Sequence, residues 1–311
     1  LAVGEAAPPA LEPGTIRIAV HAAGVNFADT LMIAGKYQVK PPFPFSPGME
    51  LAGEVIEAGA GATRLGPGTR VMATAQSGAF AEEAVVPEAA AVAIPDAMDY
   101  ITAASFPIAY GTSYHALLDR ARLQSGEVLL VHGAAGGVGR SAVEIGRALG
   151  ARVIGTVGSD GKAAVARAAG ATDVINYSTQ SIRDRVKDLT DGRGADVIYD
   201  PVGGDAFDQS MRCIAWAGRL LVIGFASGRI PEVAANRVLL KGCSVVGVFW
   251  GSFFAKETAR SQENFTALLE MVADGRLKPL VSATYPLGET PAALRALLSR
   301  KSTGKVVVAV R

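Results

Sequence analysis

In the first third of the chain, apolar positions fall in short runs that alternate with polar ones, the period of half-buried strands. Thr15–Ala22, Leu51–Gly59, Gly68–Ala73, Phe80–Val86 and Ala91–Ile94 are such runs, with Gly- and Pro-bearing turns between them. They predict a small mixed-β domain. From about Tyr110 the texture changes to apolar strands alternating with helices. A helix over Thr112–Arg120 precedes a short buried strand that starts at Glu127 and runs into a glycine-rich turn, and a helix over Arg140–Leu149 leads to the strand Arg152–Val157. The alternation continues with a helix over Gly161–Ala169, the strand Asp173–Tyr177, a polar helix over Ile182–Leu189 and the strand Ala195–Tyr199. A helix over Ala206–Cys213 and the strands Arg219–Gly224 and Cys243–Val248 complete the set. Strands joined by helices in this way predict an α/β fold with a doubly wound parallel sheet. The tail reads as a helix over Glu257–Asp274, a strand near Ala283–Tyr285, a helix over Pro291–Ser299 and a last strand Lys305–Val310. The parallel sheet is complete without it, so the tail is expected to fold back onto the first domain. The expected division is 1–109 with 250–311, and 110–249.

One stretch organises this pattern. The apolar run Val128–Val131 enters a turn with Gly133, Gly136, Gly137 and Gly139, which opens the next helix. Strand, glycine turn, helix and second strand form the dinucleotide-binding unit. Its glycines bend the chain, let backbone N–H groups approach a pyrophosphate, and pack helix on strand. The helix start then presents unpaired donors and the positive dipole end to the phosphates. The spacing departs from a strict G-x-G-x-x-G, and a tight strand-to-helix turn without ligand is the plain alternative.

The 311 residues are half apolar and 19% charged, as in an ordinary globular protein. A formal net charge of +1 implies no bulk attraction to nucleic acid or membrane. No apolar run is long enough to span a bilayer and no signal peptide is visible, so a cytoplasmic protein is expected. The chain begins at Leu1, which leaves its true N-terminus open. Cys213 and Cys243 lie far apart in apolar surroundings and read as buried free thiols, in keeping with a reducing compartment.

Several segments carry a resemblance: Ala22–Thr30, Gly35–Tyr37, Pro47–Gly53, Ala134–Gly139 and Gly170–Tyr177. Together with the domain order they make the chain resemble the zinc-free NADPH:quinone oxidoreductases of the medium-chain dehydrogenase/reductase superfamily. The likeness covers nearly the whole chain, lacking what looks like a first strand before Leu1. It implies a β-rich GroES-like catalytic domain and a Rossmann domain with a six-stranded parallel sheet. Zinc-dependent relatives need a Cys, a Gly-His-Glu and a further ligand at the domain boundary. Here those positions match Asn26, Met49 before Glu50, and apolar residues near Ile108. None of them binds zinc as thiolate or imidazole does, so no metal is expected.

The resemblance also implies the cofactor contacts: Ala135, Gly136, Gly137, Val138 and Gly139 in the turn, Ser159, Lys162 and Tyr177 beyond the second strand, Gly224 and Phe225 after the fifth, and Arg300 near the C-terminus, where Lys301 could serve instead. NAD-binding units usually end the second strand on a carboxylate for the ribose 2′-hydroxyl. This chain has Thr156-Val157-Gly158-Ser159 there, and Asp160 reads as a loop or helix-cap residue. A cation and a phenol suit a 2′-phosphate, so NADPH is expected.

At the acceptor, Asn26, Tyr37 and Thr112 match family positions lining the nicotinamide cleft. Asn26 offers a donor and an acceptor, Tyr37 could orient a carbonyl oxygen or assist proton delivery, and Thr112 could contact the nicotinamide. Each also has a plain role, Asn26 in fixing a turn and Tyr37 in capping apolar surface. Asp29 could hold the Asn26 loop, His115 reads as packing, and Phe249 and Trp250 either wall the cleft or belong to the core. The function implied is reduction of quinones or other conjugated carbonyls by hydride transfer from NADPH without zinc. An enoyl-thioester reductase and a non-catalytic NADPH-binding protein remain as alternatives. The absence of a basic stripe argues against nucleic acid. The sixth strand, Cys243–Val248, would be an apolar sheet edge, which suggests a homodimer through it.

Overall fold

The structure, a computed structural model, describes residues 1–311. The chain folds as two compact units, one of residues 1–108 with 279–311 and one of residues 109–278.

Unit 1 is built on the long strand β1 (Thr15–Val25), followed by a short helix α1 (Phe27–Ile33). Strands β2 (Glu50–Ala58), β3 (Arg70–Thr74), β4 (Glu83–Pro87) and β5 (Ala91–Ala93) follow, then helix α2 (Tyr100–Ala104). Helix α3 (Pro107–Tyr114) carries the chain into unit 2 and continues as a π-helical turn over His115–Arg120.

Unit 2 alternates strands and helices: β6 (Val128–Val131), α4 (Gly137–Ala148), β7 (Arg152–Val157), α5 (Asp160–Ala169), β8 (Asp173–Asn176), α6 (Ile182–Leu189), β9 (Ala195–Asp200), α7 (Gly204–Cys213), β10 (Ile214–Val222), α8 (Ala235–Lys241) and β11 (Ser244–Gly247). Helices α9 (Trp250–Lys256) and α10 (Thr258–Ala273) close the unit. The chain then returns to unit 1 as β12 (Val281–Pro286), α11 (Thr290–Leu298) and β13 (Lys305–Ala309).

In unit 1, β1 is long enough to take neighbours on both sides. The strand β2 pairs antiparallel along one side, while β4 takes the first half of the other side and β13 the second. The sheet runs β12-β13-β1-β2-β3-β5, with β4 off that path. Its inward side chains, among them Ile16, Ile18, Leu51, Val55, Val71, Leu294, Val306 and Val308, form one core. The returning tail therefore contributes core residues and sheet neighbours.

In unit 2 all pairings are parallel, in the order β11-β10-β9-β6-β7-β8. Every residue of β6 is buried, because helices cover both faces of such a sheet. The chain winds outward from β6 to β7 and β8, then crosses to β9 and winds the other way. The switch point lies between β6 and β9. Ligands of doubly wound sheets bind at the C-terminal strand ends there.

One expected boundary is corrected. Residues 250–278 belong to unit 2 and only 279–311 return to unit 1. The cause is local packing. Trp250 lies against Gly111 of α3 and meets Phe265 of α10 edge-on, with ring centroids 6.1 Å apart. His115 stacks on Phe253 at 3.7 Å, and Asp119 accepts hydrogen bonds from Arg260 and Asn264, each at 2.9 Å. The single helix expected over Glu257–Asp274 is preceded by α9, which carries Trp250 and Phe253 inward. Trp250→Ala should cost about 3–5 kcal/mol of unit 2 stability. Hydrogen exchange should then quicken in α3 and α10 while β1 and β2 stay protected, and the reverse distribution would assign Trp250 to unit 1.

Candidate functional site

At the switch point of unit 2, three loops gather at the strand ends. Gly133, with φ +62°, starts the turn after β6 and faces Pro201 and Val202 of the loop after β9. That second loop is shaped by Asp200, whose Oδ1 accepts from the backbone N–H groups of Val202 at 2.8 Å and Gly203 at 2.9 Å. The loop after β10 joins them, because the Gly224 N–H donates to Asp200 O at 3.3 Å and the Ala226 N–H to Pro201 O at 3.1 Å. A Cβ on Gly139 would stand 2.1 Å from Gly133 O, so only glycine lets the helix start sit this close to the turn. Helix α4 has Gly136 as its N-cap and no side-chain cap, leaving its first backbone donors without a side-chain acceptor. Ala135, Gly136, Gly137, Val138 and Gly139 thus form an open cradle of the kind that suits an anion.

Beneath the cradle lies a buried polar layer. His132 shares a hydrogen bond with Thr156 Oγ1 at 3.0 Å through Nδ1 and with Ser210 Oγ at 2.7 Å through Nε2. Burial lowers its pKa, so it is neutral and structural. Ser113 Oγ donates to Val138 O at 3.0 Å and lies 2.8 Å from Ser141 Oγ and 2.9 Å from Tyr199 OH. These bonds fasten α3 to the first turn of α4, and they position buried Thr112 beside that junction. His115, with its Nδ1 2.8 Å from Asp119 Oδ2 and its ring on Phe253, is committed to packing.

A second corner forms after β7. Half-exposed Tyr177 lies over Gly158, where a Cβ would come within 2.7 Å of the phenol oxygen. Ser159 is the N-cap of α5 and Lys162 lies in its first turn. The carboxylate of Asp160 accepts from Asn176 Nδ2 at 2.8 Å and is engaged inside this turn. The corner sets Tyr177 beside the Gly158-Ser159 turn, with Lys162 three residues further along in the first turn of α5. Arg300 lies in unit 1, exposed in the turn after α11 with φ +56°.

In unit 1 the sequence-predicted Asn26 sits at the end of β1 inside a network that sequence reasoning did not foresee. Lys305 Nζ donates to Glu50 Oε1 at 2.6 Å, Asn26 Oδ1 at 2.7 Å and Val25 O at 3.0 Å. Asn26 Nδ2 donates to the same Glu50 oxygen at 2.8 Å and more distantly to Gly24 O at 3.4 Å. Glu50 Oε2 accepts from the Ile108 N–H at 2.8 Å. Asn26 is buried, Glu50 and Lys305 more so, and the amide is held with its oxygen on the ammonium and its nitrogen on the carboxylate. The signal for Glu50 and Lys305 was present as charged residues inside otherwise apolar strands. Met49 precedes the pair, and no group of three or more His, Cys, Asp or Glu is placed to hold a metal ion.

Asp29 caps the start of α1. Its Oδ2 accepts from the Asn26 N–H at 2.7 Å, while Oδ1 is buried without a partner. Burial pushes the carboxyl up to about 7, against the pull of its backbone donors and Lys305. Tyr37, partly buried, is raised by burial and by the nearby Asp29 charge. Two of the candidate catalytic residues, Asn26 and Tyr37, are thus neighbours of Asp29 in unit 1, and Thr112 belongs to unit 2.

Asp29 titrates near 7 in the folded chain against an ordinary value of 3.8. Between those pH values the folded state keeps a proton that the unfolded state has lost. Stability should therefore fall as pH rises through the window, by up to about 1.4 kcal/mol per pH unit, and level off above it. Asp29→Asn should flatten that dependence in urea unfolding. An unchanged slope would mean that another group is responsible.

Comparison with known proteins agrees with this architecture. Residues 12–96 match the alcohol dehydrogenase GroES-like domain and residues 137–274 the zinc-binding dehydrogenase family. Over 296 residues the chain is 44% identical to quinone oxidoreductase-like protein 2 homolog of Nematostella vectensis, covering 94% of this chain and 81% of the relative. The solved quinone oxidoreductase of Pseudomonas syringae pv. Tomato DC3000 superposes with a TM-score of 0.92 at 34% identity, covering 99% of this chain and 94% of that one. The Escherichia coli quinone oxidoreductase complexed with NADPH gives a TM-score of 0.92 at 30% identity, covering 99% and 95%. The chain belongs to the quinone oxidoreductase family of the medium-chain dehydrogenase/reductase superfamily.

Proposed function

We propose that the chain is a reductase that uses NADPH to reduce quinones or related conjugated carbonyls, without zinc. The observation that carries this reading is the pairing, within unit 2, of an uncapped helix start with a second corner that has Tyr177 over Gly158, Lys162 in the first turn of α5 and its carboxylate, Asp160, held by Asn176. The open donors of Gly137, Val138 and Gly139 suit a pyrophosphate, with Ala135 and Gly136 shaping its approach. Ser159, Lys162 and Tyr177 suit a 2′-phosphate. Gly224 and Phe225 suit the cofactor from the neighbouring loop, and Arg300, which belongs to unit 1, is a phosphate contact on the family resemblance alone. When bound, NADPH supplies the hydride.

On this reading the chain positions the acceptor and steadies the charge that develops on its oxygen. Asn26 has one N–H committed to Glu50 and a second that reaches Gly24 O only at 3.4 Å, so the second can serve an acceptor oxygen. Tyr37 orients that oxygen or passes it a proton, and Thr112 contacts the nicotinamide. The position that would otherwise hold a zinc ligand is filled by a carboxamide tied to an internal ion pair, which supports hydride transfer without a metal.

Relatives crystallised with NADPH support the cofactor choice, and relatives named quinone oxidoreductase support the acceptor class. The free, buried cysteines favour a reducing compartment, and we place the protein in the cytoplasm. No helix is long and apolar enough to cross a membrane.

Oxidation of NADPH should be faster than that of NADH with 1,4-benzoquinone, 9,10-phenanthrenequinone and simple enones, and slow with crotonyl-CoA. A preference for crotonyl-CoA would make the chain an enoyl-thioester reductase, and cofactor binding without turnover on any acceptor would make it a binding protein. We also propose a homodimer through β11, which is the edge of the parallel sheet with one side of its backbone unpaired. Light scattering should give twice the chain mass, and a monodisperse monomer would refute the pairing.

A further inference from the structure

A second concentration of charge lies in unit 2, apart from the glycine turn. On α6, Arg183 and Lys187 are four residues apart and so share one helix face. On α8, Arg237 and Lys241 repeat that spacing. Arg212, near the end of α7, completes a set of five cations lining one open cavity of about 340 Å³, which also has Met211 and Leu240 in its wall. No carboxylate lines it.

Of the acids on these helices, one partners a cation of the cavity and the others are engaged elsewhere. Asp184 pairs with Arg183 at 3.5 Å, Asp188 with Arg185 at 3.3 Å, and Asp205 and Asp208 with Arg229. Lys187, Arg212, Arg237 and Lys241 enter no ion pair. The plain alternative is helix capping, since Lys187, Arg212 and Lys241 lie in last turns and meet negative dipole ends. Each helix end is worth only about half a charge, so three ends together with Asp184 leave about half of the charge of the five cations uncompensated. The cations also converge: burial pushes the Cys213 thiol up to about 12 against the pull of Lys187, Lys241 and Arg183 together.

Position separates this cavity from the nucleotide cradle. Arg212 lies just before β10 and Lys241 just before β11, at the N-terminal edge of a sheet whose strands are all parallel. The Gly133–Gly139 turn follows the C-terminal end of β6, at the opposite edge.

We propose that this cavity binds a small phosphate-bearing anion with two or more negative charges, the pyrophosphate class, at a site distinct from the dinucleotide cradle. Multiple phosphate oxygens would accept from several cationic donors at once and relieve their repulsion. Met211 and Leu240 would favour an organic phosphate with an apolar portion over a bare ion.

The test titrates inorganic pyrophosphate into the full chain under saturating NADPH, which blocks the glycine turn, at matched ionic strength. Calorimetry should find one site per chain, and the Tm should rise above a sodium chloride control. The double variant Arg212→Glu, Arg237→Glu, two exposed positions, should weaken that Kd at least tenfold with the NADPH Kd unchanged. Should that variant fail to fold, Lys187→Gln with Lys241→Gln should give a smaller loss in the same direction. Absence of binding above the salt control, or equal binding in the variants, would overturn the proposal. Should NADPH itself not bind, the cofactor reading fails, while the difference between wild type and variant still reads the cavity.

Discussion

An ammonium and a carboxylate stripped of water inside unit 1 set the terms for the rest of that unit. Removing such charges from water costs several kcal/mol each, and their mutual attraction offsets this only where other hydrogen bonds complete both groups. Lys305 meets that condition with three acceptors and Glu50 with three donors, two of them on the oxygen that takes the ammonium. The two charges and their partners come from the end of β1, the start of β2, the start of α3 and the start of β13, so the pair closes only when the last strand has returned. A chain cut before β13 would leave Glu50 as a lone buried charge beside Asn26. The discontinuity of unit 1 and the order of its candidate site are therefore one constraint.

Unit 2 reaches order by a different route. Its cradle depends on unpaired backbone donors, which hold shape only if what lies beneath them is rigid. His132, Thr156, Ser210, Ser113, Ser141 and Tyr199 supply a layer in which these side chains find partners, and a satisfied buried network stiffens its surroundings. Unit 1 fixes a side chain by pairing charges, whereas unit 2 fixes a backbone turn by completing neutral hydrogen bonds.

Local pattern made much of this legible. The strand Arg152–Val157 lies where its apolar run puts it, because it is buried on both faces, and the helix Ile182–Leu189 lies where its spacing puts it, because it buries the face that carries Ile182 and Val186. The helices Phe27–Ile33, Tyr100–Ala104 and Ala235–Lys241 were not foreseen, being too short to show a period. Asn26 followed three residues later by Asp29 was a capping signal, weakened because Asp is shorter than the usual Glu. Strand β10 starts at Ile214, five residues before its apolar run, because pairing with Ala195 draws it in. The boundary at Trp250 was missed for a deeper reason. An aromatic residue after a last strand can pack on either domain, and only the ring geometry with Phe265 and Gly111 decides it. Lys305 and Glu50 were invisible as a pair because 255 residues separate them.

The charge inventory at Asn26 bears on what unit 1 can ask of an acceptor. A zinc ion would present two positive charges to a carbonyl oxygen, whereas Lys305 is neutralised by Glu50 at 2.6 Å. Asp29, titrating near neutrality, adds either nothing or one negative charge. The site therefore offers an oriented amide dipole with little net positive potential. Dipoles of this kind stabilise an oxyanion that already forms readily, and they do little for a simple ketone whose reduction needs a Lewis acid. Quinones and enones delocalise the incoming charge over a conjugated system, and so need only orientation and one or two hydrogen bonds. On the proposed reading, the preference for conjugated acceptors follows from the electrostatic neutrality of the network that holds Asn26.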